Sequence, residues 1–283
     1  MNSPTVPDAA DILGGGLQHH LEESGTHQIM KAVLVLGDSH ALVFSSEQMK
    51  TLFPEYSFEV TSVGGATVSG LKNPNAVTQA MPQYMSALET TTANTVIVML
   101  GEVDTGFVIW YRAQKHGSSV EQMLQQALEN YQKLLLDVAS RFHVICVSTP
   151  LPTIRDNMDW GEVANLRKEV KASLSDRTLL TIKFNTLMEA FCVREGISHL
   201  NYDSCSMDES GTLKASLRNP DPNDHHYEPS AHALMIEPLL SPVLKQYTSL
   251  KRTSFDNPDM VDEQTPEKRS FLRRLWASLF CRQ

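Results

Sequence analysis

The sequence predicts an α/β protein with a central parallel sheet, and three observations support this class. Short apolar runs rich in valine and leucine recur along the chain, and they are almost continuously apolar, as in strands buried on both faces. Between them lie longer segments in which apolar residues recur at helical spacing. Most of the runs end in glycine or polar residues. Strands that alternate with helices form a parallel sheet covered on both faces.

The elements follow in order from this pattern. Strands are predicted at residues 32–36, 57–63, 95–100, 143–149 and 198–202. Helices are predicted at residues 42–52, 76–89, 120–140, 160–174, 178–194 and 229–247. The segment 120–140 has the clearest helical periodicity, with apolar residues on one face throughout its length. We expect these elements to form one domain over residues 28–248.

Composition limits the class of function. The chain has 283 residues, 41% hydrophobic and 20% charged, which fits one globular domain with flanking tails. Its formal net charge of -9 argues against nucleic acid as a partner, because phosphate contacts need clustered Lys and Arg. Neither a secretory signal nor a membrane-spanning run is recognisable, so a cytoplasmic location is expected. The four cysteines are far apart, which favours buried thiols at Cys146 and Cys192 over a zinc site or disulfides.

The two ends differ from the domain in composition. Residues 1–27 lack periodicity and predict a flexible tail, and residues 249–265 resemble a linker. Residues 266–283 predict a basic amphipathic helix, with an apolar stripe that includes Trp276. Such a helix suits an anionic membrane surface, a protein partner or the acidic body of the same chain.

The most informative junction is Gly37-Asp38-Ser39-His40, directly after the first predicted strand. Gly37 permits an abrupt turn, and a helix that starts near Ser39 would place its hydroxyl beside unpaired backbone N–H groups. Ser39 is therefore a candidate nucleophile. The alternative is that Asp38 or Ser39 is an ordinary helix cap.

Three further segments lie where strands of the sheet end or where the last helix begins. They are Gly64-Gly65, Gly101-Glu102-Val103-Asp104 and Asp224-His225-His226. Loops at the carboxyl ends of parallel strands converge, so these segments are expected to meet Ser39. A late histidine supplies the base that a serine requires, and Asp224 can orient it. The backbone N–H groups of Ser39 and Gly65 are candidate donors to an oxyanion.

These blocks resemble the SGNH hydrolases, also called GDSL-type esterases, in order and spacing over about residues 34–240. The segments 37–41, 65–75 and 101–104 are similar to a bacterial, glycan-associated subgroup. The resemblance implies a flavodoxin-like three-layer fold and hydrolysis or transfer of an ester, commonly a sugar acetyl group, with no metal or other cofactor. It assigns the nucleophile to Ser39, an oxyanion donor to Gly65 and the base to one late histidine.

Asp104 departs from the family pattern, which has Asn there as an oxyanion donor. An ionised carboxylate only accepts hydrogen bonds and repels an oxyanion. Either Asp104 is held protonated, or it positions another group, or this loop does not line the oxyanion hole. A further alternative is that Glu102 and Asp104 form a pair that shares one proton. Asp104 could also be an ordinary helix cap.

The last block is also irregular, because the family spacing Asp-x-x-His is not met. His226 is the preferred base, since Tyr227 then takes the apolar place that follows the family's histidine, and His225 is the alternate. The structural alternative is that both histidines are exposed loop residues without a catalytic role. Asp224, His225, His226 and His232 carry metal-ligand atoms, but adjacent histidines seldom reach one ion together, so no metal is predicted.

Two functions follow from the sequence. The first is a serine esterase or acyltransferase acting on an acylated small molecule or glycan. The second is a noncatalytic binding or scaffold protein with the same fold, targeted by its C-terminal helix. Asp38 and Glu102 remain alternates for a place in the site in either case.

Overall fold

A five-stranded parallel sheet forms the centre of the computed structural model, which describes residues 30–156 and 170–249. Its strands are β1 (Lys31–Gly37), β2 (Tyr56–Ser62), β3 (Thr95–Met99), β4 (His143–Val147) and β5 (Ser198–Leu200). Their order is β2-β1-β3-β4-β5, and each neighbouring pair is parallel. This is the flavodoxin-like order, with its switch point between β1 and β3. The predicted fold class is confirmed.

Helices connect the strands on both faces. The α-helices are α1 (Glu47–Leu52), α2 (Ala80–Thr90), α3 (Ile109–His116), α4 (Val120–Ala139), α5 (Leu174–Glu195), α6 (Asp203–Ser206) and α7 (Pro229–Ser249). Short 3-10 helices span Ser39–Ser45, Val68–Gly70 and Ala215–Leu217, and a π-helical turn spans Asp104–Val108.

Side chains alternate across the sheet and so divide the core into two layers. Leu34 and Leu36 of β1 lie in one buried cluster with α2, α4 and α5. Val33 and Val35 lie in the other, with α1 and α7. The sheet is therefore covered on both faces, which explains why its strands are apolar throughout.

Three helices differ from the sequence prediction, and one of them is α2, which begins at Ala80 and not at residue 76. The segment predicted as one helix, residues 42–52, is a 3-10 helix followed by α1, because the Ser46 side chain caps α1 by accepting from the Met49 N–H. The helix predicted at 178–194 begins earlier, at Leu174, where Ser173 and Asp176 form a capping box. The helix α3 was not predicted, since it continues directly from the π-helical turn.

Parts of the sequence predictions fall outside the described residues. These are the tail 1–27, most of the predicted helix 160–174, most of the linker 249–265 and the predicted helix 266–283. Among the residues described, none forms a helix with the length and apolarity needed to cross a membrane. Cys146 and Cys192 are buried, as predicted.

Candidate active site

Ser39 lies immediately beyond β1, as the first residue of the 3-10 helix. A side chain at Gly37 would not fit, because its Cβ would come within 2.5 Å of both the Met99 carbonyl oxygen and the Ala41 Cβ. The Tyr84 hydroxyl donates a 2.7 Å hydrogen bond to the Gly37 carbonyl and fixes the turn from the α2 side. The cap is Asp38, whose side chain accepts from the His40 N–H, so the Ser39 hydroxyl is left for other contacts.

His226 contacts the Ser39 hydroxyl. The distance from His226 Nε2 to Ser39 Oγ is 2.8 Å, although the two residues are 187 positions apart in the chain. On the other side of the ring, His226 Nδ1 lies 2.6 Å from Asp224 Oδ1. A hydroxyl, an imidazole and a carboxylate in this order form the arrangement that activates a serine.

Asp224 is fixed by several hydrogen bonds. Its Oδ1 also accepts from the His226 backbone N–H at 2.9 Å, and its Oδ2 accepts from the Asn219 side chain at 2.8 Å. Partial burial acts to raise the pKa of Asp224, but the hydrogen bonds from the His226 backbone and ring outweigh it and lower the pKa below the ordinary value. The carboxylate is therefore ionised at neutral pH and suited to stabilise a protonated His226.

His225 lies beside His226, with ring centroids 4.2 Å apart. One ligand atom from each of Asp224, His225 and His226 fits within 4.8 Å, which is the one group of metal-ligating spacing among the described residues. Both ring nitrogens of His226 already lie within hydrogen-bond distance of Asp224 and Ser39. The geometry thus favours a hydrogen-bonded triad at these residues.

The predicted oxyanion donors lie at two strand ends. Gly65 has a positive φ of 70° and is exposed in the loop after β2. Within the described chain, Ala66 donates to the Val63 carbonyl and His40 to Asp38, and no hydrogen bond takes up the N–H of Ser39 or Gly65. These two N–H groups remain candidates for the oxyanion.

Asp104 is fully buried and holds the loop that follows Gly65. Its Oδ2 accepts from the Val68 N–H at 2.8 Å, and its Oδ1 accepts from the Ser69 N–H at 3.0 Å. Burial raises the pKa of Asp104 to about 6, against the opposing hydrogen bonds from Ser69 and Val68, and the charge of Asp38 adds to the increase. Among the alternatives considered from the sequence, this placement fits the one in which Asp104 positions another group, here the loop at Val68 and Ser69.

Glu102 is also buried, between Gly101 and the π-helical turn. Its charge raises the pKa of Tyr227, although burial is the larger cause of that increase. The charged neighbour that raises the pKa of Asp104 is Asp38, and a proton-sharing pair of Glu102 and Asp104 stays a prediction.

Three residues support the site without having been predicted from the sequence. Tyr84 anchors the Gly37 carbonyl, Asn219 holds Asp224, and the Thr153 hydroxyl donates a 2.6 Å hydrogen bond to the His225 carbonyl. No local pattern marks them, because each acts on a residue at least five positions away. Beside the site, Trp110 donates its indole N–H to the carbonyl of Thr105, the residue next to Asp104.

No family model matches this chain, and no curated protein matches it. Among solved structures, it is similar to a GDSL-like lipase from Bacteroides thetaiotaomicron, at 14% identity and a TM-score of 0.47, over 77% of this chain and 89% of that one. It is also similar to a carbohydrate acetylesterase from Sinorhizobium meliloti, at 14% identity and a TM-score of 0.47, over 76% of this chain and 99% of that one. At these values the similarity does not identify reacting residues or a substrate, so those inferences rest on the geometry of this chain.

Proposed function

We propose that this chain is a serine-dependent ester hydrolase or acyltransferase of the SGNH type, with Ser39 as nucleophile, His226 as base and Asp224 as the residue that orients His226. The observation that carries the proposal is the chain of hydrogen-bond contacts from Ser39 Oγ to His226 Nε2 and from His226 Nδ1 to Asp224. The four sequence blocks in the order of that family support it independently.

The first half-reaction forms an acyl-enzyme. His226 Nε2 takes the proton of the Ser39 hydroxyl as Oγ attacks the ester carbonyl. The carbonyl oxygen becomes an oxyanion, which the N–H groups of Ser39 and Gly65 stabilise, each donor being worth roughly 3 kcal/mol in known enzymes. Collapse of this intermediate breaks the bond to the alkoxy oxygen, which leaves as an alcohol with the proton from His226.

The second half-reaction releases the acyl group. His226 takes a proton from water, or from the hydroxyl of an acceptor, as that oxygen attacks the acyl-Ser39 carbonyl. Ser39 then leaves with the proton and is regenerated. Water as acceptor gives a carboxylic acid, and a sugar hydroxyl gives transfer of the ester.

An O-acetyl group on a glycan is the substrate class that we propose. Ser39 is half-exposed, and the side chains that contact it or contact His226 and Asp224 include the polar groups of His40, Asn219 and His225. Such surroundings suit a hydroxyl-rich alcohol and a short acyl group better than a long acyl chain. The sequence resemblance to a glycan-associated subgroup supports the same class.

Labelling of Ser39 tests the proposal directly. The full chain is assayed with p-nitrophenyl esters of increasing acyl length and with acetylated oligosaccharides, and it is treated with a fluorophosphonate probe. We expect turnover that is fastest for acetyl esters, and covalent labelling at Ser39. In Ser39→Ala, kcat/KM is expected to fall at least about 10⁴-fold and labelling to disappear.

Ser57→Ala is the matched control, because Ser57 is exposed on β2 near the opposite end of the sheet. It should retain both turnover and labelling. A folded wild-type protein with neither turnover nor labelling would contradict the catalytic proposal and favour the alternative, a binding or scaffold protein with this fold.

A further inference from the structure

The site contains the same three-residue arrangement twice. In Asp38-Ser39-His40, the carboxylate Oδ1 accepts from the His40 backbone N–H at 2.9 Å and lies 3.2 Å from His40 Nδ1. In Asp224-His225-His226, the Oδ1 of Asp224 accepts from the His226 backbone N–H at 2.9 Å and lies 2.6 Å from His226 Nδ1. Each aspartate therefore fixes the histidine two residues later, and the nucleophile is the middle residue of the first arrangement.

The two histidine rings lie against each other. The ring centroids of His40 and His226 are 4.8 Å apart, with the planes inclined at 54°. Asp38 and His40 are buried, with 1% and 3% of their surfaces exposed, whereas Asp224 and His226 are only half-buried. Asp38 and His40 are thus enclosed by the protein, and Asp224 and His226 pack beside them at the protein surface.

We infer that His40, held by Asp38, is a positioning residue for His226: its ring fixes the orientation in which His226 Nε2 reaches Ser39, and its charge sets how readily His226 takes up a proton. The inference rests on the proposed function, in which His226 is the base. Nothing in the reaction requires His40 to touch the substrate.

The positions of the rings support both parts of this role. The Asp38 carboxylate is buried and accepts from the His40 backbone N–H, and His40 Nδ1 lies 3.2 Å from the same oxygen, so the His40 ring cannot turn easily. The neighbouring His226 ring is therefore restricted on that side. A like charge at this separation opposes protonation of a neighbouring imidazole, and the nearby carboxylates favour it. The protonation of His226 therefore depends on the state of His40 as well as on Asp224.

Several other ionisable groups face this pair. His225 lies against both rings, His232 reaches them from α7, and the charge of Asp38 acts on Tyr84, Asp104 and Tyr202. Burial lowers the pKa of His232 to about 3, and the charges of His40 and His226 lower it further, so His232 is neutral at the working pH.

His40→Asn is the test variant, because an asparagine amide can still donate to Asp38 but carries no charge. The substitution removes the positive charge that a protonated His40 places beside His226 and keeps the carboxylate of Asp38, so His226 should be protonated more readily. We expect the acidic limb of the kcat/KM profile to move about 1 unit to higher pH, with kcat at the optimum reduced about tenfold and KM unchanged. Asp38→Asn removes a carboxylate instead and should move the limb to lower pH.

The same shift is measured without turnover by NMR titration of the His226 ring protons, so the inference is testable even if the ester substrates fail. His143→Asn is the control, since His143 begins β4 at the end of the strands opposite to Ser39, and it should leave the titration unchanged. Opposite shifts in the two variants support the inference. A His226 titration midpoint that is the same in wild type, His40→Asn and Asp38→Asn overturns it and leaves His40 a packing residue.

Discussion

Asp104 and Asp224 are two carboxylates of one site, yet their surroundings give them opposite properties. Asp104 is fully buried and accepts from backbone N–H groups of the loop after β2, and its pKa is raised to about 6. Asp224 is half-buried and lies against His226, and its pKa is lowered. At Asp104, the effect of burial on the pKa is larger than that of the hydrogen bonds. At Asp224, the hydrogen bonds to the charged form are the larger effect.

The different surroundings of Asp104 and Asp224 indicate which of the two would assist proton transfer in the proposed reaction. A carboxylate beside an imidazole stabilises the cation that forms on that ring, so in the proposed reaction Asp224 acts through His226. A carboxylate that accepts hydrogen bonds from two consecutive residues of one loop fixes that loop, so Asp104 would act through the position of the segment that follows Gly65. The removal of each group should therefore have a different kinetic result.

The largest effect is expected from Asp224→Asn. The amide can donate to His226 Nδ1, which would place the ring proton on Nε2, where it faces Ser39 and prevents base catalysis. By comparison with known serine hydrolases, kcat/KM should fall about 10³- to 10⁴-fold. The measurement is steady-state kinetics on acetyl esters, with circular dichroism to verify that the variant is folded.

Asp221→Asn provides the control for this loop. Asp221 is exposed and accepts from the Asn223 N–H, without contact to His226, so the variant should stay within about twofold of wild type. Wild-type activity in Asp224→Asn would show that Asp224 does not orient the base.

A smaller loss is expected from Asp104→Asn. The amide can accept from only one of the two N–H groups of Val68 and Ser69, and its NH₂ group opposes the other, so the loop must move. A displacement of this size near reacting atoms typically costs about 10²-fold in rate, which should appear in kcat. The free energy of unfolding at pH 7 should change by less than about 2 kcal/mol, because the variant also avoids burial of a charge.

Steady-state kinetics and urea unfolding of the same Asp104→Asn preparation separate the loss of kcat from the change in the free energy of unfolding. Asp208→Asn is the control, because Asp208 accepts from Ser210 and Thr212 in an exposed turn, and its activity should be unchanged. Full activity in Asp104→Asn would mean that the Asp104 contacts to the loop have no part in catalysis.

The sequence predicted the fold more completely than the site. The strand ends after β1, β2 and β3 were placed within two residues, because buried parallel strands are continuous apolar runs. The contacts of Asp104 could not be predicted, since they depend on how the loop at Val68 folds back onto a residue 36 positions later. The contact of His226 with Ser39 was preferred over that of His225 only by resemblance, and it depends on the Asp224 turn.

The pH dependence of stability gives the smallest and most specific test of the buried carboxylate. The pKa of Asp104 is about 6 in the folded protein and 3.8 ordinarily, so between these values the folded state holds a proton that the unfolded state has released. Its contribution to stability is therefore present at low pH and is lost as the pH rises through 6. Burial also raises the pKa of Asp203 to about 6, whereas burial lowers the pKa of His199 to about 4 and acts in the opposite direction.

Because these groups overlap, the informative quantity is the difference in unfolding free energy between wild type and Asp104→Asn. From pH 4.5 to 6.5, wild type should lose about 2 kcal/mol relative to the variant, measured by urea unfolding at half-unit steps. Asp208→Asn should show no such trend, because hydrogen bonds with Ser210 lower the pKa of Asp208 from an ordinary value that is already below this window. A constant difference between wild type and Asp104→Asn would mean that Asp104 titrates normally, and the contrast with Asp224 would then lie only in their hydrogen-bond partners.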